Sequence, residues 1–152
     1  MAESVAAMLL RAARVDAAAC KVLDAAAGMP DAVVGFHAQQ ACEKCFKSVL
    51  GAAGIEVPRS HDLARLMDLL AANSISVPVD AQWVDELNPY AVEARYGLVD
   101  AGCLDRHRTL VAVDLLLDWA QQHLAGPIPI ESSVSPESGG PGLSSAPPPS
   151  TA

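Results

Sequence analysis

The chain has 152 residues and a formal net charge of -8 at neutral pH, a length that predicts one domain whose core needs neither metals nor disulfides. Its acidity disfavours indiscriminate binding to nucleic acid, because the protein and the phosphates repel each other at long range. No run of about 18 apolar residues occurs and the N-terminus lacks the basic start of a signal peptide, so we expect no membrane span and a cytoplasmic location.

Alanine and leucine are abundant and aromatic residues make up only 4%, which favours helices over sheets. Hydrophobic periodicity predicts a first helix over about residues 4–27, with Ser4 as its N-cap. Its predicted apolar positions are Val5, Met8, Leu9, Ala12, Ala19, Cys20, Leu23, Ala26 and Ala27. Its predicted outer side carries Arg11, Arg14, Asp16, Lys21 and Asp24.

A second helix is predicted from about Pro30 to Ala53. It is apolar on more than one side, which is typical of a central helix in a bundle or of a helix against a second chain. Gly35 is either a weak point in this helix or a close-packing site.

Three further helices follow. The third is predicted to begin at Ser60 as N-cap, with Asp62 in its first turn, and to end near Asn73. The fourth spans about residues 79–95, and Asn88-Pro89 should kink or divide it. The fifth runs over about residues 104–124.

The C-terminal tail differs in composition from the rest. From Pro127 onward, Pro, Gly and Ser make up 17 of 26 residues, too polar a segment to bury the surface that folding needs. The sequence therefore predicts an all-α domain over residues 1–126 and a disordered tail over residues 127–152.

Four polar side chains form a ridge along the second helix: His37, Gln40, Lys44 and Lys47. The two ammonium groups could hold a phosphate or the carboxylate of a partner, although Glu43 could pair with Lys47 at i, i+4. Near the predicted end of the fourth helix, Arg95 and Tyr96 are the residue types that hold a phosphate and stack on a base. The plainer interpretation is an arginine in a salt bridge and a tyrosine that packs.

Histidines and cysteines offer further candidates. His61 precedes an acid that could orient its ring, or it simply belongs to a helix start. His107 is expected to be solvated or functional, and His123 to complement the helix C-terminus. Cys42 and Cys45 lie in mid-helix, which suits reduced core cysteines better than a metal or redox pair.

Three motifs together resemble the HEPN domain family. They are Phe36-His-Ala-Gln-Gln-Ala-Cys-Glu-Lys-Cys-Phe-Lys-Ser-Val-Leu50, then Ser60-His-Asp-Leu63, then Leu87-x-x-Tyr90 followed by Arg95-Tyr96. The resemblance implies an up-and-down bundle of four to five helices and a dimer, commonly formed through the central helices. Members often act beside a small nucleotidyltransferase in toxin–antitoxin pairs, and others bind nucleotides.

Many members of that family are metal-independent ribonucleases that carry an Arg followed by a His after four to six intervening residues. None of the four histidines here has an Arg at that spacing. The resemblance therefore implies the non-ribonuclease branch, with no catalytic residue, cofactor or metal.

The resulting hypothesis is a homodimeric binding module for a nucleotide, a nucleotidyltransferase partner, or both. The expected contacts are Lys44, Lys47, His61, Arg95 and Tyr96. One alternative is a ribonuclease toxin with a displaced site, around His61 or around His107 with Arg106 or Arg108. Another is a structural dimerisation scaffold.

Overall fold

The computed structural model describes residues 2–92, 96 and 103–126. Within them the chain forms α1 (Val5–Ala25), α2 (Asp31–Ala52), α3 (Leu63–Ala72), α4 (Ala81–Leu87), a 3-10 turn (Asn88–Ala91) and α5 (Arg106–Ala125). No strand occurs in these ranges, so the all-α prediction is confirmed. The predicted tail at 127–152 lies outside the described residues.

Side-chain caps mark the starts of α1, α3, α4 and α5. Ser4 accepts a hydrogen bond from the backbone N–H of Ala7, which confirms it as the N-cap of α1. The predicted start of α3 was wrong: Asp62 rather than Ser60 is the N-cap, and its carboxylate accepts from the N–H of Ala64. Ser60 instead accepts from the N–H of Asp62. As predicted, Asn88-Pro89 divides the fourth helical segment, which changes there from α-helix to 3-10 turn.

Helix α2 is central. It packs against α1, α3, α4, the 3-10 turn and α5. Contacts of Cys20 with Val34 near one end, and of Ser48 with Ala6 near the other, show that α1 and α2 run antiparallel. Phe46 and Leu50 are fully buried within the bundle, whereas Val33 on the same helix is 37% exposed and Phe36 is partly buried.

The first helix is rotated relative to the prediction. Its core-facing side is formed by Ala6, Leu10, Ala13, Ala17 and Cys20. Asp16 is buried rather than on the outer side, because α2 supplies two partners for its carboxylate. Val5 and Met8, predicted in the apolar face, are exposed to solvent.

Gly35 is a close-packing site and not a weak point. A Cβ atom there would lie 2.7 Å from Cγ of Tyr90, so only glycine lets the Tyr90 ring lie flat against α2. This contact packs the 3-10 turn against α2. The 3-10 turn also positions the start of α3. Asn88 accepts from the N–H of Leu63 and donates to Asp62.

The start of α5 is joined to the turn between α1 and α2. The Arg106 guanidinium donates to Asp31 at 2.7 Å and to the carbonyl oxygen of Met29, and it lies 3.5 Å from Asp24. None of the helices in the described ranges has the length and apolarity to cross a bilayer.

Candidate functional site

The polar ridge of α2 is divided between two buried carboxylates. The first is Asp16 on α1. Its Oδ1 lies 3.0 Å from Nδ1 of His37, and its Oδ2 accepts from Nζ of Lys44 at 2.5 Å. The Lys44 side chain is 28% exposed, so its charge is already paired but still reaches solvent.

The second buried carboxylate is Glu43 on α2. Its Oε1 accepts from Nζ of Lys47 at 2.8 Å, which confirms the predicted i, i+4 pair. The same oxygen lies 3.0 Å from Nδ1 of His61. The Gln39 amide donates to Oε2 of Glu43 at 3.4 Å and to the backbone oxygen of His61 at 3.2 Å. The start of α3 is thereby fixed to α2 by side-chain and main-chain contacts together.

The side chain of His61 is much more exposed than that of Glu43, the carboxylate that it contacts. Its side chain is 72% exposed, whereas that of Glu43 is 6% exposed. A carboxylate can only accept, so Nδ1 of His61 must carry the hydrogen in this contact. The Nε2 atom is left to face outward, as an acceptor when the ring is neutral and as a donor when it is protonated.

A cleft of about 320 Å³ adjoins this imidazole. It is lined by His61, Asp62, Asn88, Pro89, Ala91 and Val92. Its walls are therefore the start of α3 and the 3-10 turn, the two segments that Asn88 ties together. The cleft combines apolar surface from Pro89, Ala91 and Val92 with the imidazole that Glu43 orients.

The last two predicted contacts follow this cleft in the chain. Tyr96 is 73% exposed. Arg95 lies outside the described residues. The structure therefore places His61 beside a cleft, pairs Lys44 and Lys47 with carboxylates, and leaves Tyr96 open to solvent.

The displaced ribonuclease site considered above would use Arg106, His107 and Arg108. These three side chains do not converge on one point. His107 is exposed and lines a cleft of about 340 Å³ together with Arg108. Arg106 instead reaches inward to Asp31. Arg108 is paired with Asp80 at 2.7 Å, so neither arginine is held free beside His107.

The cysteines of α2 belong to the core. Cys42 and Cys45 are fully buried. Burial raises the pKa of Cys45 to about 12 and that of Cys42 well above its usual value, so the thiolate needed for metal binding or redox exchange is strongly disfavoured. In the described ranges no three His, Cys, Asp or Glu side chains converge to hold a metal ion.

Two residues that organise this region were missed by sequence reasoning: Asp16 and Gln39. Gln39 is fully buried. For Asp16 a signal did exist, because it lies between Ala13 and Cys20 on the side that the small residues of α1 bury. For Gln39 the sequence contains no comparable signal, because its second partner is a backbone oxygen 22 residues away.

Comparison with protein-family models shows that residues 6–123 match the HEPN domain. Searches of curated proteins and of solved structures gave no match. The family match covers all five helices except the extreme ends of α1 and α5.

Proposed function

Since this chain belongs to the HEPN domain family, we propose that it is a homodimeric binding module for a nucleotide, for a nucleotidyltransferase partner, or for both, in a toxin–antitoxin-like pair. The observation that carries the proposal is the exposed imidazole of His61, held by buried Glu43 at the edge of a cleft. Both kinds of ligand present anionic oxygens, which are phosphate in one case and carboxylate in the other.

The orientation of His61 favours such a ligand. With Nδ1 engaged at 3.0 Å from Glu43, the ring is held in place before the ligand arrives, and less conformational entropy is lost on binding. Protonation of the ring would let Nε2 donate a charge-assisted hydrogen bond to an anionic oxygen.

Lys44 and Lys47 are auxiliary contacts in this proposal. Each ammonium has three donors and uses one of them on a buried carboxylate. The remaining donors of Lys44 reach solvent more readily, because its side chain is 28% exposed against 13% for Lys47.

Arg95 and Tyr96 complete the proposed site. They follow the 3-10 turn that forms one wall of the cleft. Tyr96 would stack on a base, and Arg95 would form a bidentate contact to phosphate.

The test is calorimetry with ATP, ADP, AMP and GTP on the full chain, and with a nucleotidyltransferase of a toxin–antitoxin pair. We expect His61→Ala to weaken binding at least tenfold, which corresponds to about 1.4 kcal/mol, and Tyr96→Ala to weaken nucleotide binding alone. The control is His107→Ala, which removes another exposed histidine and should leave affinity unchanged. Equal affinity of wild type and His61→Ala would contradict the assignment.

The same geometry favours a second candidate function. A carboxylate that holds Nδ1 of an exposed histidine is also the arrangement of a general base, so a ribonuclease with a displaced site is the alternative. Cleavage of a short RNA by wild type but not by His61→Ala would support it. Intact RNA with both proteins would exclude this ribonuclease and leave the binding module and the structural scaffold, which the calorimetry above distinguishes.

A further inference from the structure

The cleft beside His107 is separate from the cleft beside His61, because the two have no lining residue in common. It lies between the first half of α5 and the segment that enters α4. Its volume of about 340 Å³ is at the lower end of the range for small-molecule sites, which is about 300–1,000 Å³. Its apolar walls are formed by Val79, Trp83, Val111, Ala112 and Leu115.

The apolar part of this cleft has a buried floor and open sides. Trp83 and Ala112 are almost fully buried, whereas Val111 and Leu115 are each 47% exposed. The rise of α5 from Arg108 to Leu115 is about 10 Å, which leaves room for one aliphatic or aromatic side chain of a ligand. An apolar group that covers Val111 and Leu115 would be stabilised by the removal of this surface from water.

A pair of opposite charges closes one end of the apolar part. Nη2 of Arg108 donates to Oδ2 of Asp80 at 2.7 Å, and both residues line the cleft. The hydrogen bond from the N–H of Trp83, followed by that from Arg108, lowers the pKa of Asp80. The carboxylate is therefore charged at neutral pH, and the Asp80–Arg108 pair presents one negative and one positive group to a ligand.

Both members of this pair can form further hydrogen bonds. Asp80 accepts one from the N–H of Trp83 through Oδ1 and one from Arg108 through Oδ2, and a carboxylate has about four lone-pair sites. The Arg108 guanidinium has five N–H donors, and its Nη1 lies 3.8 Å from Glu86, which is beyond hydrogen-bonding distance. A ligand that carries both a donor and an acceptor can therefore add to the pair without breaking it.

We propose that this cleft binds a free α-amino acid with an apolar side chain. The ammonium donates to Asp80, the carboxylate accepts from Arg108, and the side chain lies against Val111 and Leu115. The two charged groups of an amino acid are attached to one carbon atom, which matches two protein groups that contact each other. The inference concerns a second site and does not depend on the ligand proposed for His61.

Charge balance distinguishes an amino acid from simpler ligands. The Asp80–Arg108 pair is neutral as a whole, so a ligand with a single charge would bring that charge close to the like charge of the pair. A zwitterion places each of its charges next to an opposite one. A peptide carries its ammonium and its carboxylate at opposite ends, so neither terminus of a peptide matches the pair. The cleft therefore favours the free amino acid.

The walls beyond the pair favour an apolar side chain in the ligand. Val79, Val111 and Leu115 have no side-chain hydrogen-bonding group, so a polar group placed against them would lose its contacts with water without replacement. Leucine, methionine and phenylalanine should therefore bind. Asparagine, which resembles leucine in shape but carries an amide, should bind weakly.

Titration of the full chain, followed by heteronuclear NMR, tests the site. For a ligand of this size we expect a dissociation constant between about 10 μM and 10 mM, with leucine bound at least tenfold more tightly than asparagine. Leucine should also bind at least tenfold more tightly than isocaproate, which lacks the ammonium, and than isopentylamine, which lacks the carboxylate. The amide signals that shift should include those of Val111 and Leu115.

Two substitutions with matched controls link the affinity to the cleft. Arg108→Gln should weaken leucine binding at least tenfold, whereas Arg65→Gln, at an exposed position on α3, should bind as wild type does. Leu115→Asn should weaken leucine binding as well, whereas Val22→Asn, which replaces an exposed valine of α1, should not. Thermal melts by circular dichroism verify that all four variants are folded.

Asp80→Asn distinguishes recognition by the charge pair from a purely structural contribution. Asparagine keeps the N-cap of α4 but has no charge, so Arg108 loses its closest carboxylate. We expect this variant to prefer isocaproate to leucine, which is the reverse of the wild-type order. A general loss of structure would weaken the binding of both ligands and would not reverse the order.

Four results would overturn the inference. They are no binding of leucine, methionine or phenylalanine up to about 10 mM, equal affinity of the wild type for leucine and isocaproate, leucine binding that Arg108→Gln does not weaken, and a preference for leucine that Asp80→Asn retains. Nucleotide binding beside His61 tests the proposed function separately, because that cleft contains none of the residues substituted here.

Discussion

Nδ1 of His61 lies 3.0 Å from Oε1 of Glu43. A buried carboxylate in the middle of α2 therefore orients an exposed ring at the start of α3. The same carboxylate neutralises Lys47 at 2.8 Å. One acidic side chain thus joins two elements and sets the charge of the face where a ligand is proposed to bind.

Glu43→Gln should lower the free energy of unfolding by about 2 kcal/mol, because the amide cannot neutralise the mostly buried Lys47 ammonium. Urea denaturation monitored by circular dichroism measures the change. Glu56→Gln, at an exposed position, is the control and should have the stability of the wild type. Equal midpoints for Glu43→Gln and Glu56→Gln would show that the Glu43 cluster contributes nothing to the fold.

Gly35→Ala should destabilise the protein by about 1–3 kcal/mol, because the added Cβ overlaps the ring of Tyr90. The matched control is Gly51→Ala in the same helix, whose Cβ would meet its nearest neighbour at an ordinary 3.5 Å. The control should be neutral or stabilising by up to about 1 kcal/mol, the difference in helix propensity. Removal of the ring in Gly35→Ala/Tyr90→Ala should abolish the penalty of the first substitution; additive losses would refute the steric explanation.

Asp62 should make stability depend on pH at the acidic end. The hydrogen bond from Asn88, followed by those from the backbone N–H groups of α3, holds the pKa of Asp62 below its ordinary value. A carboxyl whose folded-state pKa is lowered stabilises the fold above its unfolded pKa, and this stabilisation is lost as the pH falls through the folded-state pKa.

The substitution Asp62→Ala removes the cap. It should lower the free energy of unfolding by about 1 kcal/mol at neutral pH. The difference in this free energy between Asp62→Ala and wild type should narrow below about pH 4. Thermal melts across an acidic pH series measure it. Asp68→Ala, on the exposed face of the same helix, should keep the wild-type pH dependence. A difference in melting temperature between Asp62→Ala and wild type that stays constant down to low pH would contradict the conclusion that the ionised Asp62 carboxylate stabilises the fold.

Of the four cysteines, Cys103 alone should react rapidly with a thiol reagent in the native protein. It is exposed, whereas Cys20, Cys42 and Cys45 are buried. Burial, with Asp24 nearby, raises the pKa of Cys20 to about 11, so little thiolate forms there even at about pH 9. Colorimetric titration should give one fast thiol in native wild type and none in native Cys103→Ser. After denaturation, all four thiols of the wild type should react. A second fast thiol in the native protein would show that the core around α2 opens readily.

The helices themselves were predictable from the sequence. Apolar periodicity located all five, and Ser4 and Asn88-Pro89 marked a start and a break where the structure has them. These are local properties: a cap or a proline acts within one turn, so neighbouring residues contain the information. The i, i+4 pair of Glu43 with Lys47 was predictable for the same reason.

The faces of the helices were decided by the tertiary structure. Asp16 is buried because His37 and Lys44 lie on α2, 21 and 28 residues further along the chain. His61 is oriented because Glu43, 18 residues before it, lies on the helix against which α3 packs. A sequence with apolar residues on two sides of α1 determines that a helix forms there. Only the packing of α2 and α5 against one side decides which apolar face becomes the core and which stays exposed.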